Sequence, residues 1–379
     1  MSDLSLYIHI PFCVRKCRYC DFLSAPENTG ERARYIEALG REMKCRSEDL
    51  KKARVKTIFW GGGTPSLLSP AEFREIAKGL KTCTGEWAGD AEWTIEANPG
   101  TLDAEKAGEW RRAGVNRVSL GVQAAQDRLL ERIGRRIHTF RQAKESVGIL
   151  REAGFSNINL DLMMGLPGQD LNDWKETLEE ALNLAPEHLS CYSLILEEGT
   201  PLLRAVREGR EILPEEEEER AMYEYTLRRL EKAGYRQYEI SNFAKPRYAC
   251  RHNLVYWELG EYQGLGLGAA SYREGRRLKN TTDLAAYIRA EDPTKLDTVE
   301  EESSLKDQME EWMFLGMRKT EGVDLTEFRR RFGRDGEEVY GAVIGKLERE
   351  GLILRERNQI RLSRRGLDLA NQVFAAFLL

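Results

Sequence analysis

Tyr7-Ile8-His9-Ile10-Pro11-Phe12-Cys13-Val14-Arg15-Lys16-Cys17-Arg18-Tyr19-Cys20-Asp21-Phe22 is the stretch that decides the reading of this chain. Leu4 to Ile10 has the continuous apolar character of a buried strand. It runs into a loop whose cysteines fall at spacing C-x3-C-x2-C, so one short loop supplies three thiolates, Cys13, Cys17 and Cys20. A cubane [4Fe–4S] cluster wants a thiolate on each iron, and three cysteines leave one iron open to a small molecule with an amino and a carboxylate group. Tyr19, just before the third cysteine, can shield such a cluster. Two other readings stand beside this one. Zinc would take the three thiolates plus His9 or Cys45. A disulfide with one spare thiol would need an oxidising compartment.

Working outward, strands alternate with helical segments. Val55 to Trp60 is a second strand and runs into Gly61-Gly62-Gly63-Thr64-Pro65. Ser69-Pro70-Ala71-Glu72 then opens a helix with Ser as cap, Pro in the first turn and Glu completing a capping box. Further strands are expected at 92–97, 115–121, 157–162 and 188–194, with helices at 31–52 and 139–152 among those between them. Strand–helix alternation means parallel βαβ units. The fold class is therefore α/β, an incomplete TIM-like (β/α)6 barrel, with an open doubly wound sheet as the alternative. A first domain is expected over 1–290. A smaller one over 291–379 has helices followed by two short strands near 352–354 and 360–362, a winged-helix-like pattern. Residues 323–379 hold eleven Arg or Lys and nine Asp or Glu, a net charge of +2. That is weak for binding phosphates, so a packing or lid role is expected there rather than DNA reading.

Composition bounds the rest. The 379 residues are 41% hydrophobic, enough for a full core, and the formal net charge of −5 argues against general nucleic-acid binding. Of the seven cysteines only the first three are grouped. Met1-Ser2-Asp3-Leu4 lacks the basic-then-apolar pattern of a secretory signal, and no apolar run reaches membrane-spanning length, so a cytoplasmic protein is expected.

Polar residues recur at the strand ends, where barrels bind their ligands. Glu96 can accept hydrogen bonds from ligand hydroxyls or amines. Gln123 offers donor and acceptor. Arg135 can grip a carboxylate at two points. Asp161 can receive ribose hydroxyls. Taken singly, each has a purely structural reading. Later in the chain, His252-Asn253-Leu254-Val255-Tyr256-Trp257 sets a histidine and an amide beside two aromatic rings, with the Cys250 thiol two residues before the histidine. Gly264-Leu265-Gly266-Leu267-Gly268 reads as a tight turn rather than a nucleotide fingerprint. The glutamate run at 215–219 reads as the solvated start of a helix.

Together the three-cysteine loop, the glycine motif, Glu96, Gln123, Arg135 and Asp161 resemble the coproporphyrinogen III dehydrogenase group of radical S-adenosylmethionine (AdoMet) proteins over nearly the whole chain. The resemblance implies a [4Fe–4S] cluster on Cys13, Cys17 and Cys20, with AdoMet on its open iron. It adds Tyr7, Tyr19, Gly63 and Thr64 to the AdoMet site. The dehydrogenases carry a fourth cysteine two residues after the third, giving C-x-C, where this chain has Phe22, and a longer N-terminal arm. The H-N-x-x-Y-W string instead resembles the haem chaperone branch. That branch implies haem on His252, Asn253, Tyr256 and Trp257, delivery to apo-haemoproteins such as respiratory cytochromes, an electron donor for the cluster, and possible peripheral membrane contact. The rival expectations are radical decarboxylation of coproporphyrinogen III and a zinc-stabilised interaction module.

Overall fold

Ser2–Ile10, buried from Leu4 onward except for a partly covered Tyr7, is the strand on which the sheet is built. In this computed structural model, which describes residues 2–28, 30–135 and 137–378, it pairs in parallel with Ala53–Gly62, Ile8 standing against Trp60. The parallel series continues through Trp87–Ala97, Arg117–Gln123, Ile158–Met164 and His188–Ser193. These are the six strands expected from the sequence, neighbours in chain order. Helices Glu31–Cys45, Pro70–Cys83, Ala104–Ala113, Phe140–Glu152 and Leu171–Asn183 return the chain between them. The expected caps are formed. Ser69 accepts from the Glu72 N–H while Glu72 accepts from the Ser69 N–H, and Thr139 and Gln142 make the same exchange.

The sheet does not close on itself. Beyond the sixth strand it continues into the antiparallel pair Asn242–Ala244 and Arg236–Glu239. Beyond the first it takes Tyr262–Leu265 as a further parallel strand, then Ala270–Arg273, Arg276–Lys279 and Thr298–Glu302. Gly264, expected in a turn, thus lies inside a strand, where an added Cβ would stand 2.2 Å from the Ala270 carbonyl oxygen. Gly266, at φ +101°, makes the turn that follows. The segment is tied to the first helix by the buried Glu42 carboxylate, which accepts from the Gly266 N–H, the Tyr287 hydroxyl, Asn280 and Arg46.

The C-terminal unit has its own apolar core around Trp312, Phe328, Tyr340, Ile344 and Phe377. Helices Leu305–Gly316, Leu325–Phe332 and Gly336–Arg349 pack with a small antiparallel sheet of Val323–Asp324, Gln359–Leu362 and Ile353–Glu356. Thr320 N–H donates to the Tyr238 carbonyl, and Arg331 donates to the carbonyls of Glu258 and Leu259. Among the described residues no helix is long and apolar enough to cross a membrane.

Candidate functional site

The three-cysteine loop lies over the C-terminal ends of the parallel strands because backbone bonds stitch it there. The Arg18 N–H donates to the Ile133 carbonyl (2.9 Å), and the Leu202 N–H donates to that of Arg18 (2.8 Å). The glycine motif meets the same loop. Gly63 N–H donates to the Ile10 carbonyl (2.8 Å), and a Cβ on Gly63 would stand 2.5 Å from the Phe12 carbonyl oxygen. That glycine is required by the backbone packed against it, independently of any ligand.

Below the loop is a cavity of about 470 Å³ whose walls include Cys13, Cys17, Cys20, Tyr19, Gly63 and Thr64, together with Glu96, Gln123, Arg135 and Asp161. The structure thus brings together residues far apart in sequence. Tyr7 is not on this wall. It lies deeper, its hydroxyl bonded to His9 Nδ1 (3.1 Å) and its ring stacked near Phe59.

All seven cysteines are free thiols, so the disulfide reading fails. Among the described residues no set of three or more Cys, His, Asp or Glu side chains converges on one ion position. A zinc ion would draw its thiolates onto one sphere of about 2.3 Å. A cubane instead gives each thiolate its own iron. Burial holds the Cys13 and Cys20 thiols above their ordinary range, and the neighbouring cysteines add to it. Thiolate character here therefore depends on positive charge supplied nearby.

Glu96 accepts from the Gly62 N–H (3.2 Å), and its carboxyl is pushed up to about 8, first by burial and then by the nearby Asp161. Asp161 accepts from Ser119 Oγ (3.1 Å) and Asn159 Nδ2 (2.7 Å). Gln123 adopts φ +63°, a left-handed conformation that a non-glycine residue holds only at a cost, and its side-chain carbonyl is buried without a partner. Arg135 donates from Nη2 to Asn98 Oδ1 and to the Gly121 carbonyl, and from Nη1 to the Tyr19 hydroxyl (3.3 Å) and Cys17 Sγ (3.7 Å). Its Nε–H alone has no partner. The expected two-point carboxylate grip is therefore not open to Arg135 as it stands, because both arms of its fork are taken.

Two buried polar atoms of the wall, Gln123 Oε1 and Arg135 Nε, await a partner. With the Asp161 carboxylate they form a donor and acceptor set that fits an amino-acid nucleoside. Sequence reasoning gave no role to Asn98, which joins Thr64 Oγ1 (2.9 Å) to Arg135, or to Tyr192, whose hydroxyl meets Gln123. The Asn98-Pro99-Gly100 turn at a strand end was the available signal for the first.

The H-N-x-x-Y-W string forms the short helix Arg251–Trp257, and its histidine points inward. His252 is 1% exposed. The Thr57 hydroxyl donates to Ser5 Oγ (2.8 Å), so it accepts from His252 Nδ1–H (2.7 Å), and Nε2 then accepts from Tyr256 (2.9 Å). The ring stacks on Phe59 at 5.2 Å. Burial, reinforced by Arg117, lowers its pKa to about 3, so it is a neutral imidazole. Glu92 caps the helix, accepting from the N–H groups of Arg251 (3.0 Å) and His252 (3.1 Å). Trp257 lies under the Arg318 guanidinium at 4.3 Å, so its ring is covered, while Asn253 is half-buried. Cys250 is fully buried beside Glu92, and its thiol is held up to about 12 by that burial. Both His252 and Cys250 are buried side chains with partners inside the fold.

A chain of buried and partly buried hydrogen bonds links this segment to the cavity. The Cys250 N–H donates to the Tyr238 hydroxyl oxygen (3.2 Å), and that hydroxyl meets His188 Nε2 (2.8 Å). His188 Nδ1 meets Asn159 Oδ1 (2.6 Å), and Asn159 donates to Asp161.

Comparison with known proteins gives two family matches, the Radical SAM superfamily over residues 7–181 and the HemN C-terminal domain over 303–369. The heme chaperone HemW of Bacillus subtilis is 40% identical over 99% of both chains. That of Lactococcus lactis is 41% identical over 99% of this chain and 97% of its own. That of Escherichia coli is 43% identical over 74% of each. The solved structure of coproporphyrinogen III oxidase (HemN) from Escherichia coli, a radical SAM enzyme, matches with a TM-score of 0.85. It covers 100% of this chain and 90% of that one at 21% identity, a likeness of fold alone.

Proposed function

The chain belongs to the HemW heme chaperone family of radical SAM proteins, and on that premise we propose that it binds haem and delivers it to apo-haemoproteins, respiratory cytochromes among them. The observation that carries this reading is 40% identity to a heme chaperone across 99% of both chains. The missing fourth cysteine, with Asp21 and Phe22 after Cys20, separates the chain from the coproporphyrinogen dehydrogenases it resembles in fold.

Cys13, Cys17 and Cys20 would hold a [4Fe–4S] cluster, and Asp161, Gln123, Glu96 and Thr64 would surround AdoMet beside it. When bound there, such a cluster would supply one-electron reducing chemistry to the AdoMet sulfonium, drawing its electron from an external donor. Around that group the chain's own residues bind and orient. Gln123 Oε1 offers an acceptor, Arg135 Nε a donor, and Asp161 a carboxylate already fixed by Ser119 and Asn159. Tyr19 lines the cavity beside the cysteines, its hydroxyl accepting from Arg135 Nη1.

His252 is the axial ligand we propose for haem. Its Nδ1–H is held by Thr57, the arrangement that orients a metal-ligating imidazole, but Nε2 is taken by Tyr256. Haem capture therefore requires Tyr256 to withdraw and the helix Arg251–Trp257 to open.

The test is anaerobic reconstitution followed by haem titration, transfer to an apo-cytochrome, and a separate coproporphyrinogen III decarboxylation assay. Haem binding and transfer without decarboxylation are expected. Robust decarboxylation with no haem retention would overturn the reading.

A further inference from the structure

We infer that Arg135 is a positioning residue for the iron–sulfur site, donating an N–H to the Cys17 sulfur and making the site easier to reduce. The inference rests on the cluster reading proposed above and goes beyond it, because it gives the Nη1 arm of Arg135 to the Cys17 thiolate and leaves only Nε to the ligand.

The geometry argues for this on several counts. Arg135 is 7% exposed. Its Nη1 lies 3.7 Å from Cys17 Sγ, within the reach of an N–H···S hydrogen bond, and the Tyr19 hydroxyl shares that nitrogen at 3.3 Å. The other arm is anchored away from the sulfur, on Asn98 and the Gly121 carbonyl. The guanidinium is therefore pinned between the cysteine loop and the strand ends. Its backbone is pinned as well. Arg135 N–H donates to the Leu130 carbonyl at 2.8 Å. Gly134, at φ +74°, lets this turn approach the loop, since a Cβ there would stand 3.0 Å from the Arg18 nitrogen. The Arg18 N–H donates to the Ile133 carbonyl at 2.9 Å, so sulfur and guanidinium are carried by two segments bonded to each other.

Charge gives the consequence. Arg15, Lys16 and Arg135 are the cations of the cavity wall among the described residues, and only Arg135 is buried. Reduction adds one negative charge to a site already carrying three thiolates. A buried cation beside one of them favours the reduced state, and a hydrogen bond to the sulfur acts in the same direction. An arginine serving only the AdoMet carboxylate would keep both arms of its fork free for it.

The experiment is a redox titration, followed by electron paramagnetic resonance, of the anaerobically reconstituted full chain without AdoMet. Wild type, Arg135→Gln and Arg135→Lys are compared, with iron and sulfide counted in each. Arg135→Gln is expected to keep its iron and to lose at least tenfold in the reduced-to-oxidised ratio at a fixed potential, a shift of about 59 mV to more negative values for one electron. Arg135→Lys keeps the charge on a shorter, unforked stem and is expected to shift less in the same direction. A fully loaded Arg135→Gln with the wild-type potential overturns the inference. Where Arg135→Gln does not hold the cluster, Arg135→Lys decides, and an unchanged potential in it overturns the inference equally. Wild-type protein that takes up no iron overturns the cluster reading itself, a result distinct from any of these.

Discussion

The cavity at the strand ends and the buried segment around His252 are lined by similar residue types but stand in opposite states. At the cavity, Gln123 Oε1 and Arg135 Nε are buried without partners, Gln123 is held at φ +63°, and the Glu96 carboxyl is raised to about 8. Around His252, both ring nitrogens are bonded, the backbone N–H is capped by Glu92, and Trp257 is covered by Arg318. An unpartnered buried polar group is costly, and at the cavity two of them face the same open space, which a polar ligand would satisfy. A fully paired histidine marks a place that must be opened before it can act. The two regions are joined by the bonds from Asp161 through Asn159, His188 and Tyr238 to Cys250.

The largest expected effect breaks the cavity side alone. Cys17→Ser removes one of the three thiolates and should lose most of the roughly four irons per chain that reconstitution is expected to load. The fold should persist by circular dichroism, since Cys17 belongs to a loop rather than to the main apolar core. Zinc bound in place of iron by the wild type would break the cluster reading altogether.

A pH experiment sharpens the comparison next. Glu96 is raised from 4.5 to about 8 by burial and by Asp161. Between those values the folded chain holds a proton that the unfolded chain has released. Stability without cofactors should therefore fall as pH rises through this window, by up to about 1.4 kcal/mol per pH unit from this group. His252 acts oppositely. Its pKa is lowered to about 3, so stability is lost as pH falls from the ordinary histidine range towards that value. Urea denaturation across pH should show Glu96→Gln removing the alkaline loss and leaving the acid one. A slope unchanged in Glu96→Gln would remove that carboxyl from the account.

His252→Ala should cost about 2–4 kcal/mol, from the two ring hydrogen bonds and the packing on Phe59. Haem retention should weaken and its absorption spectrum shift, while the cluster spectrum stays. Haem bound with an unchanged spectrum would place the ligand elsewhere, with Cys250 the first alternative.

The parts read correctly from sequence are those that local chemistry fixes. The six strands, each a short run separated by helical segments, and the two capping boxes at Ser69 and Thr139 need only nearby residues to specify them. What escaped depends on distant partners. Tyr262–Leu265 pairs with Ser5–Ile8 across most of the chain, and its glycine hid the strand. Tyr7 was assigned to the cavity by resemblance, yet its hydroxyl turns to His9. Arg135 reads as a carboxylate clamp until Asn98, Gly121 and Cys17 occupy its fork. Nothing near His252 in sequence announces its bond to Thr57.

The smallest effect tests whether the closed segment is held shut by its cap. Glu92 accepts from the N–H groups of Arg251 and His252 and from the Cys250 thiol, three donors at the start of a helix of only seven residues. Such a helix has little stability of its own, so the cap and the flanking packing hold it. A carboxylate at a helix start also meets the positive end of the backbone dipole. Glu92→Gln keeps one acceptor oxygen and the side-chain shape but removes the charge. It should cost about 1 kcal/mol in urea denaturation, with the cluster and AdoMet affinity intact. If Tyr256 and this helix must move before His252 can take iron, loosening the cap should speed haem uptake in stopped flow. Faster uptake at lower stability would identify the segment as a gate. Slower uptake, with the cluster unharmed, would mean that the capped helix is itself the haem-binding form, and that the iron reaches His252 by another route.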